Sequence, residues 1–462
     1  MNFPLLAELP YHEDSAVLFE AIADCPGSVF LDSGRHHLKQ SRFDILAAEP
    51  YATLVTRGAL TEVRADGISL ARDDPFDLLR NALTANPDAA LTGLPFCGGA
   101  IGYFGYDLGR RLERLPAMPK DAEGMPEMAV GLYDWAVVVD HLERRALLLG
   151  QGRDPATARK WPELVERFSS PAGERARAPF RVVTPLVSNL SPAAYAAAFR
   201  RVQAYIADGD CYQVNLAQRF SAQAAGDPWL AYQALRIINP APFSAYLNTP
   251  HGQILSASPE RFIKVEHGRV ETKPIKGTRP RSGHPRRDAE LAEELRASAK
   301  DRAENVMIVD LLRNDLSKNC VPGSVEVPGL FAVESFASVH HLVSTVTGQL
   351  APGSDALALL RGCFPGGSVT GAPKHRAMQI IDELEPHRRG VYCGAIGYIG
   401  FDGNMDSNIA IRTLIYSRGE ARFWAGGGIV ADSVLEDEYQ ETFDKAHALL
   451  RLMQGGAASG AI

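Results

Sequence analysis

The chain has 462 residues, 46% hydrophobic and 22% charged, with a formal net charge of -7. That balance supports a large buried core and excludes a disordered chain. The negative charge argues against a general nucleic-acid binder, and no apolar run approaches the ~18 residues of a membrane span. The six cysteines (Cys25, Cys97, Cys211, Cys320, Cys363, Cys393) have neither zinc nor redox-motif spacing. Met1 to Pro10 has no basic segment, so a reduced, cytoplasmic setting is expected.

Taken in chain order, the first signal is Ile45 to Val55, a strand, Ala-Glu-Pro and another strand. Gly98 to Asp107 follows, then β-rich runs at Val130 to Val139 and Ala146 to Leu149. Residues 151–185, rich in Arg, Pro and Ala, read as a linker with a short helix near Trp161 to Phe168. Ser191-Pro192 caps a helix through about Ala207. Ile254 to Val265 echoes Ile45 to Val55. Helical stretches are expected at Asp288 to Leu316, Pro373 to Leu384 and Glu436 to Met453. Between the last two, Cys393 to Asp402 matches Gly98 to Asp107 at seven of ten positions. It too leads into paired β-runs, Ile409 to Tyr416 and Ala421 to Trp424. The chain therefore reads as two related halves, 1–150 and 186–455, with a frayed tail at 456–462. The expected fold is α+β, with large antiparallel sheet content and no βαβ alternation.

The chemistry lies in the second half. Lys276 sits in Pro274-Ile275-Lys276-Gly277-Thr278, after a strand-like run and before a glycine that admits close backbone approach. Arg279 and Arg281 follow. A desolvated lysine beside other cations is a nucleophile; a solvated basic loop is the plainer alternative. Glu260, after a strand and a proline, is placed to be partly buried and to act as an acid. Asp301 with Glu304, and Glu438 with Glu441, are i,i+3 pairs. They are either solvated faces or carboxylates converging on a hard cation such as magnesium. Lys445 lies one turn after Glu441. Arg412, in an apolar β-run, calls for an anionic partner. The Pro365 to Lys374 loop and the Gly426-Gly427-Gly428 run each offer backbone N–H groups to an anion, or are simple turns. His340 and His341 follow each other in a β-run, so one faces inward.

Together these runs resemble the chorismate-utilising enzymes over almost the whole chain. The motifs are Ser258-Pro259-Glu260-Arg261-Phe262, the Lys276 pentapeptide, Asp301-Arg302-Ala303-Glu304-Asn305, Leu311-Leu312-Arg313-Asn314-Asp315, His341-Leu342-Val343-Ser344, the Gly366 to Lys374 loop, Ile411-Arg412-Thr413 and Glu438-Tyr439-Gln440-Glu441-Thr442. The resemblance implies a two-sheet antiparallel β-sandwich flanked by helices. Anthranilate synthases of this family carry alanine where Lys276 stands. Lysine there, with Asp210 to Leu216 and Ser41-Arg42-Phe43-Asp44, implies the branch that aminates chorismate at C4 for p-aminobenzoate and folate biosynthesis. The competing readings are amination to anthranilate and a non-catalytic chorismate- or tryptophan-binding subunit.

The resemblance also implies roles. Mg2+ is held by Glu304 and Glu441 with Asp301 and Glu438 nearby. Arg412, Tyr392, Lys445 and Gly426 to Gly428 hold the substrate carboxylates. Thr278 and His341 touch substrate oxygens. Lys276 forms a covalent adduct while Glu260 protonates the leaving hydroxyl. Ammonia comes from a separate glutamine amidotransferase subunit, since no such motif is present in this chain. A tryptophan pocket is expected from Ser33, Gln40, Ser41, Arg42, Phe43, Pro242, Phe243 and Ser244. Asp32 stands where anthranilate-type members carry glutamate.

Overall fold

The computed structural model describes residues 4–34, 41–84, 91, 93–116, 119–170, 173, 175–336 and 339–455. The expected tail at 456–462, and Gln40, lie outside them. The N-terminal half contributes β1 (Leu5–Leu9), β2 (Val29–Asp32), β3 (Phe43–Ala47), β4 (Ala52–Arg57), β5 (Leu60–Arg64), β6 (Ile68–Ala71), β7 (Gly99–Phe104), β8 (Met128–Tyr133), β9 (Trp135–Asp140) and β10 (Arg145–Gly150). Next come β11 (Arg181–Val182), β12 (Val187–Ser188), β13 (Gln213–Ala225), β14 (Phe243–Thr249), β15 (Gly252–Ser258), β16 (Arg261–Glu266), β17 (Arg269–Thr272) and β18 (Ile275–Pro280). The last are β19 (Glu326–Ser335), β20 (Val339–Gln349), β21 (Gly371–Ala372), β22 (Ala395–Gly400), β23 (Met405–Ile409), β24 (Thr413–Ser417) and β25 (Glu420–Ile429).

These strands form two antiparallel sheets. The first runs β1-β10-β9-β3-β2-β14-β15-β24-β25-β13-β11, with β12 and β21 also on β13. The second runs β18-β20-β17-β16-β23-β22-β7-β8-β4-β5-β6, with β19 on β20. Each half supplies part of both sheets, so residues 1–150 and 186–455 are not separate bodies. Outward from the join, β2-β3-β9-β10-β1 mirrors β14-β15-β24-β25-β13, and β7-β8-β4-β5-β6 mirrors β22-β23-β16-β17-β20. The two close sequence copies lie on β7 and β22, which pair with each other. Gly102 stands opposite Gly397, its own counterpart in the repeat, so an approximate two-fold axis passes between them. A Cβ at either would come within 2.2 Å of a carbonyl on the next strand, Ala129 or Asp406. The weaker echo also has a structural basis: β3–β4 and β15–β16 occupy matching places.

Strand periodicity explains the long apolar runs. In β3, Ile45 and Ala47 face the core between the sheets, while Leu46 faces the helical layer. In β14, Ala245 and Leu247 point inward and Tyr246 outward. Trp229, Tyr232 and Leu235 of helix Pro228–Ile238 and Leu449 of helix Leu435–Met453 cover that outer face.

Two helical expectations change. The stretch 288–316 is two helices, Pro285–Ala297 and Ala299–Ser317, separated at Ser298. Ser298 is extended, and its hydroxyl caps Asp301 N, so N-cap chemistry wins over helix continuation. Residues 151–185 are not a loose linker. Helix Pro155–Ser169 is longer than the sequence suggested, and Arg177 ties the following segment to Glu20 (2.7 Å), Asp24 (2.8 Å) and Asp227 (2.6 Å).

Candidate active site

Lys276 lies in a β-bulge. Ile275 pairs with Val343 and Thr278 with His341, so Lys276 and Gly277 together stand opposite the single residue Leu342. A bulge re-aims a side chain relative to the flanking ladder. Gly277 makes it possible with φ +79°. A Cβ there would meet Asp301 Cγ and Leu295 Cδ1, each at 2.8 Å. The glycine therefore admits two helices, where the sequence reading had it admit a ligand. Burial lowers the Lys276 pKa below the ordinary lysine value. Glu304, Glu260 and Glu441 oppose that shift, and Lys445 reinforces it. Four predicted site residues from three other segments thus act on one amine.

Glu260 follows β15 and is 6% exposed. Burial pushes its carboxyl up to about 7, against the pull of Ser368, Lys276 and Lys445. At neutral pH a substantial fraction is protonated, as a general acid requires. Ser368 Oγ donates to Glu260 Oε1 at 2.8 Å. Ser368 belongs to the Pro365 to Lys374 loop, part of whose polar groups are engaged within the protein. Val369 N and Thr370 N donate to Gly366 O and Gly367 O. Lys374 Nζ is spent on Asp315 (2.5 Å) and Cys363 O (2.7 Å).

Glu304 and Glu441 act on Lys276, and Glu438 joins the group through Glu441. Burial raises the Glu304 pKa, with Glu441 and Asp301 adding to it. Burial likewise raises Glu438, which Glu441 repels. Burial acts upward on Glu441 too, but its 2.5 Å pair with Lys445 holds it below its usual value. Glu438 and Glu441 flank Gly427, where a Cβ would lie 2.9 Å and 3.4 Å from their oxygens. Glu438 Oε2 is buried with no hydrogen-bond partner. Asp301 lies close enough to act on Glu304 and pairs with Arg279 at 3.1 Å. Among the described residues, no three metal-ligating side chains stand in coordinating geometry. Magnesium takes one or two carboxylates plus waters, so the orphaned Glu438 oxygen beside Glu441 and Glu304 fits that ion.

The anion holders are uneven. Arg412 has φ +50° and no carboxylate within ion-pair distance among the described residues. Its guanidinium makes one long contact, 3.5 Å to Asn239 Oδ1, and burial lowers its pKa. His341 is the inward-facing histidine beside the lysine; burial, then Arg412, hold it down to about 4, so the ring is neutral. Its Nδ1 lies 2.9 Å from Thr278 Oγ1, so Thr278 is engaged with His341. His340 is also buried, bound to Asp288 at 3.0 Å. Tyr392 is buried and stacked on Trp424 with ring centroids 5.9 Å apart. Gly426 to Gly428 are neither turn nor bulge. They pair in register with Ala217, Leu216 and Asn215 of β13, whereas the pairing of β25 with β24 ends at Phe423. Gly426 O accepts from Lys445 Nζ at 3.1 Å.

Gln213 lies in the Asp210 to Leu216 run, which marks the branch without giving this residue a role of its own. Its amide is fully buried, both polar atoms lack partners, and a Cβ on Gly428 would lie 2.5 Å from its Nε2. Only its place opening a strand beside the triple glycine would have marked it.

A cavity of about 540 Å³ lies at the join of the halves, lined by Ser33, Arg42, Phe43, Pro242, Phe243 and Ser244 among others. Ser41 is not in its lining; its hydroxyl donates to Ser33 O. Asp32 spends its carboxylate on Arg236, Tyr232 and Gly34 N.

A two-sheet fold of paired halves with this lysine–carboxylate cluster belongs to a recognisable class. Residues 28–451 match the family model of chorismate binding enzymes, and the chain belongs to that family. It is 49% identical over 459 residues to aminodeoxychorismate synthase component 1 of Klebsiella aerogenes, covering 98% of this chain and 100% of that protein. Anthranilate synthase component 1 of Thermus thermophilus is 40% identical over 425 residues, 90% of each chain. The crystal structure of anthranilate synthase component I from Streptococcus pneumoniae superposes with a TM-score of 0.80 at 35% identity, covering 89% of this chain and 92% of that one. The described residues hold no helix long and apolar enough to cross a membrane.

Proposed function

We propose that this chain converts chorismate and ammonia to 4-amino-4-deoxychorismate and water, toward p-aminobenzoate and folate, with ammonia delivered from glutamine by a partner subunit. The observation that carries the reading is the Lys276 amine in a bulge, with its pKa lowered, acting in one electrostatic group with Glu260. Whole-length similarity to aminodeoxychorismate synthase component 1 supports it.

In this mechanism neutral Lys276 attacks C2 of the ring. Glu260 gives its proton to the C4 hydroxyl, which leaves as water. Ammonia then bonds to C4 and the C2–Nζ bond breaks, regenerating the lysine amine. Arg412, with no carboxylate partner among the described residues, takes a substrate carboxylate, and neutral His341 offers hydrogen bonding nearby. Lys445 stays on Glu441 and repels a proton from Lys276. Glu304 and Glu441, with Glu438 beside Glu441, would hold Mg2+ together with waters, and its chemistry is to neutralise the ring carboxylate.

Purified chain given chorismate, magnesium and ammonium should produce no fluorescent anthranilate, and p-aminobenzoate only after a lyase is added. Intact-mass analysis should find a chorismate-derived adduct on the wild type and none on Lys276→Ala. Direct anthranilate, or an adduct that persists in the variant, overturns the reading.

A further inference from the structure

We infer that Ser368 is a positioning residue for the general acid: its hydroxyl fixes the Glu260 carboxyl so that Oε2 presents the proton to the leaving hydroxyl. The inference rests on the C4-amination reading above and adds a part to it.

The contact is specific. Ser368 Oγ donates to Glu260 Oε1 at 2.8 Å and makes no other hydrogen bond among the described residues. An oxygen that accepts a hydrogen bond is the poorer place for the acidic proton, which leaves it on the other oxygen. The serine is itself held in place. Val369 O, next in the chain, accepts from Asn215 Nδ2 (3.1 Å) and Arg389 Nη1 (2.8 Å). Thr370 Oγ1 closes the turn onto Gly366 O at 3.0 Å. A Cβ on Gly366 would lie 2.6 Å from Ile409 Cδ1, and one on Gly367 would lie 2.5 Å from Leu311 Cδ2. A loop packed this tightly delivers its hydroxyl to one place. The acid's backbone is pinned as well: Glu260 O accepts from Ile409 N at 3.0 Å. The other titratable groups facing Glu260 are Lys276, Lys445 and Cys393. Among the described residues neither Lys276 nor Lys445 makes a hydrogen bond to the carboxyl, so its orientation falls to Ser368. The hydroxyl also favours the ionised carboxyl, opposing burial.

The test compares Ser368→Ala and Ser368→Thr. In the alanine variant, the rate of Lys276 adduct formation should fall about ten-fold, with chorismate KM within two-fold. The limb of its pH profile near 7 should move up by about one unit. Threonine should restore both. In a Glu260→Gln background, Ser368→Ala should cost nothing further. Infrared difference titration of the Glu260 carboxyl reads the same contact without substrate, and should move upward in the alanine variant alone. An unmoved titration overturns the inference. So does a raised KM with unchanged kcat, or an equal rate loss in the Glu260→Gln background. A wild type that forms no adduct while the carboxyl titration still shifts would defeat the C4-amination reading and leave the Ser368 contact standing.

Discussion

Replacing Arg412 by methionine should strengthen the fold and weaken substrate binding together. The guanidinium sits in a half-buried position with a 3.5 Å contact to Asn239 and no carboxylate in reach among the described residues. An unpaired buried charge costs several kcal/mol; partial exposure reduces that here to about 1–2 kcal/mol. Methionine keeps the aliphatic stem and removes the charge, so urea unfolding without ligand should show a gain of that size. A charge-assisted bond to a substrate carboxylate contributes about 1.5–3 kcal/mol, so chorismate affinity by calorimetry should fall about 10- to 150-fold. Chorismate should accordingly raise the melting temperature of the wild type far more than that of the variant. If Arg412→Met is instead destabilised without ligand, the guanidinium is a structural group and its assignment to substrate fails.

Gly277→Ala should destabilise by about 1–3 kcal/mol and reduce adduct yield, since it must hold φ +79° with its Cβ against Asp301 and Leu295. Gly283→Ala, where the Cβ meets open space, is the control; equal losses at both glycines would refute the steric account. Glu260 has a folded pKa of about 7, above its usual range, so its ionised form is disfavoured by folding and stability falls as pH rises from ~4 through ~7. Glu260→Gln escapes that loss, so its advantage over the wild type should grow across this window, to at most about 3 kcal/mol at pH 8 in urea titrations. A constant offset would refute the assignment. L-Tryptophan should raise the melting temperature through the 540 Å³ cavity, less so in Phe243→Ala. No shift at millimolar tryptophan would remove the ligand from that cavity.

What was legible in the sequence follows from local rules. Ser191 accepts from Ala194 N as an N-cap should, and the helix runs Pro192–Ala207 as its pattern predicts. The repeat announced the paired halves because identical small residues are needed where β7 and β22 meet. Gly277 and Pro259 mark breaks in the strands beside Lys276 and Glu260. Long-range contacts were not legible. Asp301 shares a helical face with Glu304, yet Arg279 from β18 claims it. Nothing local marks Lys374 as the partner of Asp315, which comes from the helix Ala299–Ser317. The triple glycine read as a turn because only pairing with β13 makes it strand. Gln213 is visible in sequence only as part of the Asp210 to Leu216 run, since its burial is produced by strands far along the chain.

The seam between β2 and β14, and between β7 and β22, has a practical meaning for anyone cutting this polypeptide. Cleaved within 151–185, each piece would expose two unpaired ladder edges from the middle of a sheet, the most adhesive surface a β-protein has. Neither piece would survive alone. Co-expressed, the same edges would recognise each other strand by strand, with Gly99 fitted against Ile399 O and Gly394 against Phe104 O across the seam, so the molecule behaves as two interlocking combs that happen to share one backbone.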